Sequence, residues 1–579
     1  MIKRKKFLAG MLAVVLSGSL LAGCSNSNSE VNKGTAEDNL SSANKLNIVN
    51  GKIEPAVTIT SALADDGVHR KGESISDNGH SKWAKEKLGI DIKLNWSTTP
   101  DQFDSKLRLM LASGDKLPDV FRINNKDTYN MFVQSGRLLS IDEAFDKYAS
   151  DVAKNAMSQA PKAWIPYQNN GKHYGIPALV DDYATSPVLW IRKDWLDKFG
   201  LQPPKTMQDL EKILDVFTNG DPDGNGKKDT FGISFSLKDG FANKSDGIRN
   251  VTFGNVSWVF GAHGVVPGIW RANNGKLEAT SVQPEIKPGL ETLNQWYQKG
   301  YMPQDVALYD FNKMTELAVN GKLGVFAAPR WIPSYYVKPS ITKNDPKADF
   351  QPYPIPVGPD GKAMRDGSFP ETGAVVISKD ISPETLQAFF HYYNYLYGAM
   401  VTEDALYFRD FQEGYIYTVK DGKPDFDVSK LPDGQIWTGK YSIVAGVGAS
   451  NPIDPERFNM VYKKIANGEP LNKNDVAVWA SADLPADADD PGFALHAKGW
   501  LVADTQKSID VLNEYLGPST TTMSSRGELL VKLQNDTFMS IIYGKEPIEK
   551  FDQFVDKWYS SGGDQITEEV NEWYAALKK

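Results

Sequence analysis

A single cysteine, Cys24, occurs in the 579 residues, so no disulfide can brace the chain internally and its fold must stand on packing, with or without a bound cation. The place of that cysteine matters as much as its solitude. Lys3, Arg4, Lys5 and Lys6 form a basic patch, Phe7 to Leu21 is an apolar run, and Ala22 and Gly23 lead into Cys24. A basic segment, an apolar run shorter than a membrane-spanning helix and small residues before a cleavage point are the marks of a secretory signal.

With cysteine at the boundary the segment resembles a bacterial lipobox. That implies removal of residues 1–23, lipidation of the Cys24 sulfur and acylation of its new amine. Residues 24–46 are rich in Ser, Asn, Gly, Glu and Asp, a composition that cannot build a core and reads as a flexible tether. The expected location is therefore the outer face of a cell membrane, held by lipid and not by a protein span.

The remaining chain is longer than one hydrophobic core supports, so at least two lobes are expected. A hydrophobic fraction of 41% with 24% charged residues is that of a globular protein. The net charge of −9 and the absence of a basic cluster past the signal argue against nucleic acid as a partner.

Strand and helix patterns alternate along the chain. Ile90 to Trp96 and Asp119 to Ile123 read as strands around a helix from Gln102 to Ala112, and Val188 to Arg192 reads as a strand before a helix that Gly200 ends. Thr206 is placed to cap a helix over Met207 to Phe217. This order predicts an α/β protein with a largely parallel sheet, whose ligands would lie at the carboxyl ends of its strands. Val401 to Asp510 shows little periodicity and reads as loop. Trp195, Trp296, Trp558 and Trp573 fall on amphipathic helices and read as packing residues.

The segments "SGDKLPDVF", "YGIP", "LWIRKDWLDKFGL", "GKLGVFAAPRW" and "FDQFVDKWYSSGGDQITEEVNEWY", in that order, resemble the extracellular solute-binding lipoproteins of carbohydrate ABC importers. They are similar above all to the long Gram-positive type and to alginate- and pectin-oligosaccharide-binding proteins. The resemblance implies a two-lobed periplasmic-binding-protein-like fold of type II, with discontinuous lobes and a ligand cleft at the hinge. Its expected division gives 47–185 and 345–400 to the first lobe, and 186–344 and 401–579 to the second. It also implies a monomeric receptor with an oligosaccharide as ligand and the membrane subunits of an ABC permease as partner.

Residues 221–229 place side-chain oxygens of Asp221, Asp223, Asn225 and Asp229 at positions 1, 3, 5 and 9, with Gly226 at position 6. The carbonyl of Lys227 would fill position 7, so the spacing is that of an EF-hand loop around Ca²⁺, and the role would be structural. Position 12 is Gly232 in place of Glu, so the missing ligand would have to come from elsewhere, such as Asp215 or a water.

Sugars offer an apolar C–H face and a rim of hydroxyls, so a sugar site needs flat aromatics and planar polar side chains. The resemblance puts Arg330 and Trp331 at an aromatic platform between the lobes. Further candidates are Trp258, Trp270 and Arg271 in Gly-rich loops, Asp181, Asp182 and Tyr183 after the YGIP turn, Arg122 at a strand end, and Trp437 in the loop-rich region. The arginines leave an anionic sugar open, since the guanidinium fork matches a carboxylate.

A secreted glycoside hydrolase would share this composition and needs only two carboxylates about 5–10 Å apart. A peptide-binding lipoprotein is a third class. No paired-His metal motif, G-x-S-x-G elbow or P-loop occurs, and a lipid tether suits a receptor serving a permease. The expectation is a binder, not an enzyme.

Overall fold

The computed structural model describes residues 45–180, 185–238, 240–241, 253–401, 413–415, 418–420, 423–425, 430–434, 436, 438–444, 455–470 and 491–577. They form a two-lobed α/β protein. In the first lobe Glu371–Ile377 is the central strand of three, antiparallel to Val120–Ile123 and to Ile176–Leu179. A parallel pair, Val57–Ala64 with Ile90–Thr98, stands beside it. Asp119 joins the two sets, since its carboxylate accepts from the Thr60 amide at 2.8 Å and hydroxyl at 2.7 Å.

The second lobe has four strands in the order Phe231–Ile233, Leu323–Ala328, Val188–Arg192, Phe350–Tyr353. Only the first pair is parallel. The largely parallel sheet expected from the sequence is thus a mixed one in the second lobe and, in the first, an antiparallel sheet of three beside a separate parallel pair. Glu371–Ile377 and Val188–Arg192 each enter their sheet from the other lobe, and the crossing, not a βαβ connection, sets their direction.

Alternation along the second sheet covers both faces. Leu189, Ile191, Val325 and Ala327 face a core built by Met207–Asn219, Ile286–Gln298, Thr521–Ile542 and Lys550–Trp558, while Val188, Trp190, Phe326 and Ala328 face another. Thr206 caps the first of these helices, and its side chain and that of Asp209 exchange bonds with each other's backbone. A Cβ on Gly324 would stand 2.3 Å from the Phe217 ring, so the strand needs glycine where this helix crosses it. Trp195, Trp296 and Trp558 are buried in this core, and Trp573 packs on it.

Three expectations change. Phe350–Tyr353 belongs to the second sheet, so the return to the first lobe falls after Tyr353 and not at 345. Pro352 fits there because the strand is an edge with one neighbour. Beyond 401, Tyr415, Ile436, Tyr441, Ile443 and Val444 join the first-lobe core against Pro383–Val401. The stretch read as loop also holds two helices, Pro455–Ala466 and Pro491–Thr505, that cover the second sheet. The second is apolar on several sides because it is buried, which erases the periodicity of a half-exposed helix.

Among the described residues no helix is long and apolar enough to cross a membrane. His80, buried in the first lobe, lies 2.7 Å from the Tyr392 hydroxyl, and burial lowers its pKa to about 3. The unfolded chain takes up this proton near pH 6.5 and the folded chain does not, so stability is full above that pH and falls as pH drops toward 3. The loss should reach about 2 kcal/mol at pH 5. Urea melts of the parent and of His80→Gln at pH 7 and pH 5 should show a smaller fall in stability between the two pH values in the variant, and equal falls would refute the assignment.

Candidate functional site

Strand registers locate the edges that face the crossing segments. Ile123 pairs with Ala374 and Leu179 with Glu371, so two strands end, and the central one begins, at a single edge of the first sheet. In the second sheet Ala328 pairs with Val188 and Tyr353 with Leu189, which gathers two strand ends beside the start of Val188–Arg192. The chain passes from Leu179 to Val188, and from Tyr353 to Glu371, between these same edges. Open α/β sheets bind ligands at such places.

On the second edge Arg330 and Trp331 follow Ala328 after Pro329. Trp331 is half-buried, its ring 6.0 Å from that of Tyr336 at 62°. Arg330 is buried, with its guanidinium 4.7 Å from the Trp500 ring centroid and its Nε donating to His496 Nε2 at 2.9 Å. Burial and the Arg330 charge hold His496 far below the usual imidazole range, so it is neutral and can accept.

On the first edge Arg122 donates from Nη2 to the Thr372 carbonyl at 2.9 Å and hydroxyl at 3.1 Å. Burial draws its pKa down to about 10, while Tyr167 and Glu371 act to raise it. Glu371, 9% exposed, accepts from the Tyr167 hydroxyl at 2.5 Å and the Gly373 amide at 2.5 Å, and Lys126 Nζ stands 3.5 Å away. Burial and the Glu371 charge push the Tyr167 phenol well up, so it stays a donor.

Sequence reasoning missed Glu371, Tyr167 and Lys126. It also missed a second polar group, in the loop leaving the carboxyl end of Val57–Ala64. His69 lies 2.8 Å from Asp65 and 3.1 Å from the Tyr441 hydroxyl, Lys440 bonds Asp66 at 2.7 Å, and Arg70 covers the Tyr415 ring at 4.8 Å. Tyr415 in turn donates to Glu73 at 2.6 Å. The signal was present, since Asp65 and Asp66 directly follow an alternating strand.

Three candidates are structural instead. Trp258 is fully buried, its indole donating to the Asn255 carbonyl at 2.9 Å beside Phe235 and Trp296. Trp270 packs in the same core next to Tyr515. Arg271 is held by Glu278 across its own hairpin at 2.6 Å and by Glu285, just ahead of the next helix, at 3.2 Å. Asp181, Asp182, Tyr183, Trp437 and Cys24 lie outside the described residues.

In the acidic loop, Asp221 accepts from the Asn225 and Gly226 amides, both at 3.0 Å, and Asn225 donates to Asp223 at 2.8 Å and Asp229 at 3.1 Å. Lys322 Nζ bridges Asp223 and Asp229 at 2.8 Å each and, with Asn225, holds the Asp229 carboxyl below its usual range. A Cβ on Gly232 would lie 2.7 Å from the Leu214 carbonyl, so no glutamate fits at position 12. Asp215 is engaged by Asn219 at 2.9 Å and Tyr301 at 3.3 Å. The oxygen donors suit a hard cation, but an ammonium now bridges two of them. Among the described residues no group of three or more His, Cys, Asp and Glu is arranged to hold a metal.

Comparison with known proteins agrees with this geometry. The family model described as bacterial extracellular solute-binding protein matches residues 66–394, more than half of the chain. The chain belongs to that family, one of binding proteins rather than enzymes.

Among curated relatives, the fructooligosaccharide ABC transporter substrate-binding protein FusA of Streptococcus pneumoniae is 26% identical over 47% of this chain and 48% of its own length, so the chain matches about half of that relative. Lipoprotein LipO of Bacillus subtilis is 24% identical over 99% of both chains. The polygalacturonan/rhamnogalacturonan-binding protein YtcQ of Bacillus subtilis is 25% identical over 85% of this chain and 87% of its own. A human-milk-oligosaccharide (HMO) binding, ABC-transporter associated solute-binding protein from Bifidobacterium longum infantis matches in structure with TM-score 0.63 and 17% identity, over 91% of this chain and all of that one. A structure of FusA described as an EF-hand mutant matches with TM-score 0.56 and 18% identity, over 90% of this chain and 99% of that one. These likenesses show the fold.

Proposed function

We propose that the protein is the substrate-binding component of an ABC importer, which captures oligosaccharides and delivers them to a membrane permease. The observation that carries this reading is the pair of sheet edges joined by crossing segments, one bearing Trp331 and Tyr336 and the other Arg122, Tyr167 and Glu371. Such a site binds a ligand from two sides, and binding shifts an equilibrium between open and closed lobes. Cys24 carries the lipid that holds the receptor at the outer membrane face, a reading supported by the lipobox-like segment. FusA, YtcQ and the HMO-binding protein are named for saccharide ligands, which supports the ligand class.

The test is a thermal-shift screen of the protein against oligosaccharides, with products followed by chromatography. A ligand at 100 times its Kd should add about 2.7 kcal/mol. Stabilisation without cleavage supports a receptor, and cleavage would make it a hydrolase. Trp331→Ala should weaken binding about 30-fold, or about 2 kcal/mol, with a smaller loss of stability because the ring is half-exposed. An unchanged Kd by calorimetry would remove Trp331 from the site.

The loop formed by Asp221, Asp223, Asn225, Lys227 and Asp229 binds Ca²⁺ as a structural cation, and Lys322 must leave its bridging position when it does. The described relative with an EF-hand supports this assignment. Calcium at about ten times its Kd should stabilise the chain by about 1.4 kcal/mol, and Asp223→Ala should remove that gain. Identical melting of parent and variant with and without calcium would refute it.

A further inference from the structure

Among the described residues, four cations at or near the two sheet edges, Arg122, Lys126, Arg330 and Lys440, are already engaged by the protein. Arg122 is bound to Thr372 and lies in the field of Glu371, while Lys126 stands between the Glu371 carboxylate and the face of Phe369 at 5.3 Å. Arg330 is held by His496 and Trp500 and carries a further interaction besides. Lys440 is taken by Asp66.

Carboxylates, by contrast, have acceptor capacity to spare. An ionised carboxylate offers about four lone-pair sites. Glu371 accepts from the Tyr167 hydroxyl and the Gly373 amide through one oxygen, and Lys126 approaches the other. A sugar hydroxyl can donate to such a group without bringing a charge.

A uronic acid meets the opposite situation. Its carboxylate beside Glu371 would face a fixed like charge, which opposes binding. To reach Lys126 it would have to draw that cation from its ion pair with Glu371, and to reach Arg122 it would have to share a guanidinium already bonded to Thr372 and lying in the field of Glu371. Arg122 Nε is buried with no acceptor among the described residues, and one neutral hydroxyl oxygen is enough to satisfy it.

Resting on the receptor reading above, we infer that the ligand is an uncharged oligosaccharide and that Glu371 is the residue that excludes uronic acids. Glu371 acts by direct charge at the first-lobe edge, and Trp331 takes the apolar face of the sugar from the other.

The experiment is isothermal calorimetry on the full chain in detergent, with neutral trisaccharides of fructose, glucose, galactose and xylose and with trigalacturonate as the anionic probe, at fixed calcium. At least one neutral trisaccharide should bind, with trigalacturonate at least about 30-fold weaker. Its Kd should change less than about twofold between about 0.05 and 0.5 M NaCl, since no ion pair forms with the ligand. Trigalacturonate binding as tightly as the best neutral sugar, or a steep salt dependence, overturns the inference and leaves the receptor reading standing. Silence with every saccharide overturns both. Glu371→Gln keeps an oxygen for Tyr167 and Gly373, releases Lys126 and lifts the like charge, so it should gain about tenfold or more in trigalacturonate affinity. A folded Glu371→Gln protein with no such gain removes Glu371 from the role, and the salt series on the parent decides the ligand's charge even where this variant does not fold.

Discussion

Trp258→Ala should cost about 3–5 kcal/mol of stability while leaving the oligosaccharide Kd of the folded protein unchanged. The side chain is fully buried on the short helix Ser257–Gly261, with ring centroids 6.5 Å from Phe235 and 6.1 Å from Trp296. Its indole N–H is satisfied by the Asn255 carbonyl, and the Asn255 amide donates in turn to Ala327 at 3.0 Å. Truncation therefore opens a cavity and strips a buried carbonyl of its donor at once. The second sheet borders this core through Leu189, Ile191, Val325 and Ala327, so neighbours can collapse only by shifting strands. Denaturant melts should show a lower midpoint with an unchanged slope. A loss under about 1 kcal/mol together with lost sugar affinity would return Trp258 to the binding site.

Local elements were legible because their causes are local. Val188–Arg192 and Lys193–Phe199 occur where a short apolar run and Gly200 place them, and Thr206 caps its helix as read. The EF-hand-like spacing was visible too, although Lys322, 99 residues from Asp223, was not, because only the fold brings that ammonium to the loop.

What the sequence hides is partnership. Phe350–Tyr353 carries no local mark of which lobe it will join, since a four-residue strand fits either sheet by pattern alone. Trp258 and Trp331 both sit beside glycine- or proline-containing turns, and only the packing of distant helices decides that one is core and the other half-exposed. Arg271 was recoverable in principle. Asn274-Gly275 is a hairpin signal, with φ of 49° and 82°, and a two-residue turn there sets Arg271 opposite Glu278. The Glu371 group was not, for its members come from segments far apart in the chain and meet only at the sheet edge.

The second large effect is expected at the junction of the lobes. Asp510→Ala should cost about 3–5 kcal/mol, whereas Arg365→Met combined with Asp510→Ala should recover most of that loss. Arg365 is completely buried in the segment that carries the chain from Tyr353 back to Glu371. It donates to Asp510, to the Pro187 carbonyl at 2.8 Å and to the Ala503 carbonyl at 3.0 Å. Ser186 donates to the other Asp510 oxygen at 3.0 Å, and Arg365–Asp366 pairs in parallel with Asp510–Val511. The crossing from Leu179 to Val188 and that from Tyr353 to Glu371 are thus tied to one carboxylate.

Burial pushes the Asp510 carboxyl up against the pull of Arg365, so the ion pair stands close to balance and its net gain is small. Removing one partner alone leaves a guanidinium with no countercharge in a dry site, which is where the large penalty arises. The double substitution removes charge and counter-charge together, and its milder cost would show that the pair fixes geometry more than it adds stability. If that is its role, the double variant should fold yet bind sugar more weakly, because the two edges would no longer pivot about a fixed point. Equal stability loss in the single and double variants would mean that packing of the two side chains, and not their charge, holds the junction.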